Sequence, residues 1–289
     1  MIGIAVIDKP QGMTSHDVVS FLRRKTGIKR IGHSGTLDPM ATGVLPVFIG
    51  KATRVIEFSG KPDDTEAKLY SCTMKLGIET DTQDIWGTIL RQSNEIPQFS
   101  TIERVLKSFE GPGTQKPPMY SAVKVEGRKL YEYARKGTAV NEALIKERTI
   151  YIKHIDVKFI ETNEVSFDVL CSKGVYIRTL CADAGRMLCC GAAMSGLRRL
   201  KSNGFSIDMA VRPEDFREAD LLPVDWPLEW MPRVETNAED AEAFSMGRKF
   251  NTYDDILPGS HVRVYSKNSF IGIGKKINAA EIKPEKVFN

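Results

Sequence analysis

The alternation of apolar and polar residues divides the chain into recognisable elements. Residues 2–7 (IGIAVI) are almost continuously apolar, the pattern of a short strand covered on both faces. A turn, KPQGMTS, follows. Val18, Val19 and Leu22 then recur at helical spacing behind Ser15, which is placed to cap a helix. Beyond a segment punctuated by glycine and proline, residues 44–49 read as a second buried strand and residues 51–59 as a helix. Residues 68–76 alternate strictly, so that Tyr70, Cys72, Met74 and Leu76 share one face of a strand.

Residues 101–109 have a helical pattern, which Gly111-Pro-Gly should stop. Residues 112–140 are rich in Pro, Lys and Tyr and form a long excursion with a helical piece over 129–135; segments of this kind are commonly functional. Strands are expected at about 150–160 and 164–171, and a short strand over 175–178 should feed a helix over 180–188. The Pro-rich stretch 221–233 is the best linker. The tail, 234–289, carries a short helix and β-like stretches (261–265, 270–275) around Gly259, Gly272 and Gly274. Strands so irregularly spaced exclude regular βαβ winding and place the chain in the α+β class. A length of 289 residues suits one large domain, 1–232, and a small one, 233–289.

Composition narrows the picture. The hydrophobic fraction of 42% is ample for a core, yet no apolar run approaches the roughly 18–20 residues that span a bilayer. The N-terminus lacks the charged region of a signal peptide. Five cysteines without a CxxC pair, and four scattered histidines, predict reduced thiols in a cytoplasmic protein and no metal site. The net charge of +4 is unevenly spread: residues 21–30 hold five basic residues and no acid, and residues 198–201 (RRLK) hold three more. Residues 116–137 mix bases with tyrosines, which suits a folded RNA partner. No P-loop, GxGxxG, GxSxG or HExxH is present, which argues against a nucleotide cofactor or zinc hydrolysis. Gly32-His-Ser-Gly35 matches the GXXG of KH modules, a short pattern that recurs by chance.

The remaining chemical candidate is Asp38, within GHSGTLDPMATGVLP (32–46). Pro39 holds it on extended backbone, and Gly32, Gly35 and Gly43 permit sharp reversals and close approach of a ligand. Residues 32–53 resemble the catalytic motif of the TruB family, the bacterial tRNA pseudouridine-55 synthases. Residues 8–19 (DKPQGMTSHDVV) resemble the family's N-terminal motif, and residues 68–87 the segment with its active-site tyrosine. Residues 117–137 resemble its RNA-contacting insertion and residues 171–192 its tyrosine–arginine motif. The likeness covers roughly residues 1–210 in family order.

The resemblance implies a pseudouridine synthase catalytic domain built on a mixed, mainly antiparallel β-sheet flanked by helices. It also implies a small β-rich, PUA-like domain at the C-terminus. The expected activity is isomerisation of a T-loop uridine, position 55, to pseudouridine by base flipping. Asp38 would be the nucleophile, and Arg178 would pair with it. Tyr70 would stack on the base and take part in proton transfer. Tyr176 would contact the uridine, Leu197 would close an apolar wall, and His33 would lie against the flipped nucleotides. Tyr176 and Arg178 would sit one strand step apart with Ile177 turned away. An isomerisation adds and removes nothing, so no cofactor is expected. The expected partner is the T-arm of tRNA, met by a cytoplasmic monomer with no membrane and no protein partner. Two rivals stand beside this reading: a non-catalytic KH- or PUA-type RNA-binding protein, and a guide-RNA-dependent pseudouridine synthase subunit.

Overall fold

The computed structural model describes residues 1–288, the side chains of Glu142, Phe159 and Ile160 excepted. Strand β1 (Gly3–Lys9) is buried at all but one position, as its apolar run requires, and leads into helix α1 (Ser15–Thr26). The cap of α1 is Thr14 rather than Ser15. Thr14 Oγ1 accepts the Asp17 N–H at 3.0 Å, and Asp17 Oδ2 accepts the Thr14 N–H at 2.8 Å, a reciprocal capping box. Strands β2 (Ile31–His33) and β3 (Thr42–Ile49) flank the loop that carries Asp38, and a 3-10 helix, Gly50–Phe58, replaces the expected α-helix after β3. Burial alternates along β4 (Lys68–Leu76) from its first residue to its last.

A small hairpin, β5 (Ile78–Thr80) with β6 (Ile89–Gln92), precedes α2 (Phe99–Lys107). Gly111-Pro-Gly is not merely a helix stop: it opens β7 (Gly111–Gln115), an edge strand, the position in a sheet where proline does least harm. The following excursion folds into a two-stranded ribbon, β8 (Lys124–Val125) and β9 (Arg128–Lys129), and a short helix α3 (Leu130–Arg135). Val125, Leu130 and Ile145 give it a small core of its own. Then come β10 (Arg148–Glu161), β11 (Glu164–Cys171), α4 (Ile177–Met187), β12 (Ala192–Ser202) and β13 (Phe205–Ser206).

The expected strand at 175–178 does not form. Tyr176 is the N-cap of α4, and Ile177, expected to turn away from Tyr176 and Arg178, is buried and lines the same cavity as they do. Ile177, Leu180, Cys181 and Ala184 make an apolar stripe at helical spacing, which decides the local structure in favour of helix.

The main sheet runs β1-β3-β12-β4-β11-β10-β7, with β2 beside β3 and β13 beside β12. Its pairings are antiparallel except β12 with β3. That parallel contact is unusually close. A Cβ on Gly43, whose φ is +99°, would lie 2.2 Å from the Arg199 carbonyl oxygen, so only glycine fits. Core side chains of β4, β11 and β12 pack on α2 and α4 on one face, while α1 covers Ile7, Leu45 and Val47. Each fully buried side chain such as Phe167 or Leu45 contributes about 1.5–3 kcal/mol, so the central strands form a stiff platform.

Residues 221–233 are no free linker. Leu222 pairs with Ile4 through two backbone hydrogen bonds of 3.0 and 2.9 Å, and Leu228 and Met231 are buried. A second sheet contains β14 (Arg233–Thr236), β15 (Phe250–Asn251), β16 (His261–Ser266), β17 (Ser269–Lys276) and β18 (Glu281–Val287), in the order β14-β16-β17-β18-β15. Helix α5 (Ala238–Ser245) packs on it through Phe244.

Candidate active site

The loop bearing Asp38 is fastened from several directions. Ser15, freed from capping, donates through Oγ to the Leu37 carbonyl at 3.2 Å and accepts the Leu37 N–H at 2.9 Å. The buried ammonium of Lys9 donates to the carbonyls of Pro10, Met13 and Pro39 at 2.9, 2.6 and 3.1 Å, and the Gly12 N–H reaches the same Pro39 carbonyl at 2.9 Å. From the opposite side the guanidinium of Arg199 donates to the Gly35 and Val44 carbonyls, both at 2.8 Å. The turn KPQGMTS is therefore the cradle of the Asp38 loop, and this explains why the two segments belong together.

Asp38 projects into a cavity of about 410 Å³. Its walls include Tyr70 from β4, Leu197 and Arg199 from β12, Tyr176 and Arg178 from the start of α4, and Tyr120 and Tyr131 from the excursion. Arg178 is almost fully buried, and its Nε lies 2.9 Å from Asp38 Oδ2. Its two other nitrogens are spoken for: Nη1 donates to the Thr82 carbonyl at 3.1 Å and Nη2 to the Tyr120 carbonyl at 2.8 Å. Asp84 Oδ2 stands 3.8 Å from Nη1, while Asp84 Oδ1 accepts the Thr82 hydroxyl at 2.7 Å. The arginine is thus held in one orientation, with Nε left for the half-exposed Asp38. A lysine, without the planar fork, could not satisfy three directions at once.

Two buried basic side chains, Lys68 and Arg199, line the cavity beside Tyr70. Lys68, two residues earlier on the same face of β4, donates to Ser202 Oγ at 2.8 Å. Its pKa falls to about 7, first because burial penalises the ammonium and then because of the Arg199 charge. Burial also lowers Arg199, opposed by its hydrogen bond to Tyr70, and it raises the Tyr70 phenol above its ordinary value. Lys9 is brought down to about 8 by burial, with Asp38 acting in the other direction. No described carboxylate forms an ion pair with Lys68 or Arg199 within 4 Å. The cavity therefore combines one carboxylate on its rim with cationic groups and aromatic faces around it, an arrangement suited to holding a planar polar base against a carboxylate.

Of the residues expected from the sequence, Asp38, Tyr70, Tyr176, Arg178 and Leu197 all line this cavity, and His33 does not. His33 ends β2, with its Nδ1 buried and without a hydrogen-bond partner, and burial lowers its pKa. The basic stretch 198–201 is not uniformly surface charge. Arg198 makes two bonds to Asp8, of 3.0 and 2.8 Å, and Arg199 is buried. Sequence reasoning missed Lys68, Asp84, Arg199 and the Gln115–Tyr176 contact. Lys68 alone had a legible signal, since it shares the alternating face with Tyr70. Among the described residues, no group of three or more His, Cys, Asp or Glu is placed to hold a metal ion.

The chain matches three family descriptions in succession. Residues 23–177 match the N-terminal domain of TruB family pseudouridylate synthases, residues 178–225 the C-terminal domain of tRNA pseudouridylate synthase B, and residues 232–288 the C-terminal region of pseudouridine synthase II TruB. It is 45% identical over 286 residues to tRNA pseudouridine synthase B of Alkaliphilus oremlandii, covering 95% of this chain and 93% of that protein. With tRNA pseudouridine synthase B of Clostridioides difficile it shares 40% over 303 residues, 99% of each chain. Among solved structures it resembles an H/ACA ribonucleoprotein bound to a substrate RNA containing 2'-deoxyuridine. There the TM-score is 0.74 at 25% identity, over 99% of this chain and 85% of that one. A Cbf5-Nop10-Gar1 complex gives the same TM-score and the same coverage at 27% identity.

Proposed function

The chain belongs to the TruB family of pseudouridylate synthases, and from that premise we propose that it isomerises uridine 55, in the T-loop of tRNA, with Asp38 as the nucleophile. The observation that carries the site assignment is the 2.9 Å contact between Asp38 and the immobilised Arg178, on the rim of a cavity walled by Tyr70, Tyr176 and Leu197.

In this isomerisation the bond from C1' of the ribose to N1 of uracil breaks, the base turns, and a bond from C1' to C5 forms. The C5 proton leaves and N1 gains one, so atoms balance without a donor or an oxidant. A carboxylate nucleophile splits the hard step into easier ones. Attack on the sugar, attack on the base and elimination to a glycal would all require the carboxylate at this position. Arg178 pairs with Asp38 at 2.9 Å and aims its carboxylate. The uridine is stacked and paired in folded tRNA, so it must flip into the cavity at a cost of a few kcal/mol. Stacking on Tyr70 and burial against Leu197 and Tyr176 offset that cost. Exposed bases of α1 and of the excursion would hold the phosphates, and His33, beside the loop, would meet the neighbouring flipped nucleotides.

We divide the chain into a catalytic domain, 1–232, and a small PUA-like domain, 233–289. We place the enzyme in the cytoplasm as a monomer acting on tRNA without a protein partner. Among the described residues, no helix is long and apolar enough to cross a membrane. The likeness to the H/ACA structures is a likeness of fold at 25–27% identity, whereas the bacterial synthases share 40–45% over almost the whole chain. That contrast favours the stand-alone enzyme over a guide-RNA-dependent subunit. The test is Asp38→Asn, assayed by release of tritium from C5-labelled uridine in tRNA. Turnover should vanish while tRNA affinity stays within about 3-fold, because the phosphate contacts are untouched; retained turnover would remove Asp38 from the mechanism.

A further inference from the structure

Gln115 is the last residue of β7 and stands at the threshold of the excursion that covers the cavity. It is 4% exposed. Its side-chain amide meets the backbone of Tyr176 at both polar groups: Nε2 donates to the Tyr176 carbonyl at 3.0 Å, and Oε1 accepts the Tyr176 N–H at 2.8 Å. Tyr176 is the N-cap of α4 and makes no capping hydrogen bond with its own side chain. The start of α4 is therefore fixed by a residue 61 positions earlier in the chain, through a rung like one step of a β-ladder.

What that rung holds is the business end of the cavity. Tyr176 lines it, and Arg178, two residues further, reaches Asp38 at 2.9 Å. Five residues after Gln115, the Tyr120 carbonyl accepts from Arg178 Nη2 at 2.8 Å. The stretch 115–120 thus clasps the start of α4 at two points, one on Tyr176 and one on Arg178. Glutamine suits the first point because its amide offers a donor and an acceptor side by side at this reach. Glutamate would keep the acceptor, lose the donor and set a carboxylate against the Tyr176 carbonyl. Methionine would keep the length and lose both.

Resting on the assignment of Asp38 and Arg178 as catalytic groups, we propose that Gln115 is a positioning residue. It locks Tyr176, and through it Arg178, in register with Asp38, and so couples the seating of the RNA-facing excursion to assembly of the catalytic pair. Gln115 touches no reacting atom; it acts through the backbone of Tyr176.

The experiment compares wild type, Gln115→Met, Gln115→Glu and Asp38→Asn, as full chains, in single-turnover tritium release with saturating enzyme and in tRNA binding. Gln115→Met should slow the single-turnover rate by about 10- to 100-fold, the usual consequence of misplacing reacting groups by about 1 Å, with tRNA affinity within about 3-fold. Gln115→Glu supplies the signature that a purely structural residue would not give. A protonated glutamic acid restores the donor–acceptor pair of the amide, and a buried carboxyl facing a carbonyl protonates more readily than a free one. Its rate relative to wild type should therefore rise about 5-fold or more from about pH 8 to about pH 6, while the Gln115→Met ratio stays flat. If Gln115→Met fails to fold, the pH response of Gln115→Glu still decides the matter. A wild-type rate in Gln115→Met, a loss confined to tRNA affinity, or a flat Gln115→Glu ratio overturns the proposal. If Asp38→Asn is inactive while the Gln115 variants run at the wild-type rate, only this inference falls. An active Asp38→Asn removes the reading on which it rests.

Discussion

Replacing Lys68 with methionine isolates the energetic cost of a buried ammonium in the cavity wall. The folded state brings the Lys68 pKa from the ordinary 10.5 to about 7. Between those values the unfolded chain binds a proton that the folded chain does not, so stability rises with pH across that window. Each unit of the shift corresponds to about 1.36 kcal/mol, which makes the full interval worth on the order of 4–5 kcal/mol. Below about pH 7 the wild type carries the whole penalty of a buried ammonium; above about pH 10.5 it carries none. Methionine keeps most of the length and volume but has no charge. It also loses the bond to Ser202, worth about 1 kcal/mol at every pH. Urea unfolding of both proteins at matched pH values gives the difference directly, and Lys9, which titrates in both, cancels. From about pH 7 to about pH 9 the wild type should gain roughly 2.3 kcal/mol on the variant, less than two full units' worth because at pH 7 the folded lysine is already half protonated. A difference that stays constant over that range would refute the reasoning, because it would mean that Lys68 titrates with the same pKa folded and unfolded.

Arg178→Lys should lower single-turnover pseudouridine formation by about 100-fold or more, because an ammonium cannot serve Asp38, Thr82 and Tyr120 in their fixed directions; a rate within about 3-fold of wild type would show that the fork is dispensable. Gly43→Ala should destabilise the chain by about 3 kcal/mol or more in chemical denaturation, since the new methyl would meet the Arg199 carbonyl at 2.2 Å on backbone of positive φ; an unchanged midpoint would contradict the close β3–β12 approach. Cleavage by a nonspecific protease within residues 112–140 should slow when tRNA is added, as the Pro-, Lys- and Tyr-rich segment seats on RNA, and an unchanged cleavage rate would count against its role in binding.

Where one face of an element alone determined its place, the sequence was a sufficient guide. The alternation of Tyr70, Cys72, Met74 and Leu76 gave β4 its buried side, and the glycines around Asp38 announced a loop in which backbone approaches closely. Contacts between side chains and distant backbone were not legible, because no periodicity encodes them. Ser15 looked like a helix cap, but Thr14 with Asp17 closes a better box, and Ser15 holds Leu37 instead. Arg198 and Arg199 stood alike in one basic run of the sequence. One pairs with Asp8, and the other fills the core because carbonyls of the Asp38 loop and β3 wait for it. Tyr176 and Arg178 were expected to reach the cavity by strand alternation. They reach it from the cap and first turn of a helix, where the stripe of Ile177, Leu180, Cys181 and Ala184 outweighed a three-residue β pattern.

The central claim is that this cavity converts one tRNA uridine to pseudouridine through Asp38. Its most direct test is incubation of the full chain, and of Asp38→Asn, with an unmodified tRNA transcript, followed by mapping of pseudouridine at nucleotide resolution. The account predicts pseudouridine at position 55 of the T-loop with the wild-type chain and none with Asp38→Asn. Absence of pseudouridine with the wild type, or its undiminished formation by Asp38→Asn, would contradict it.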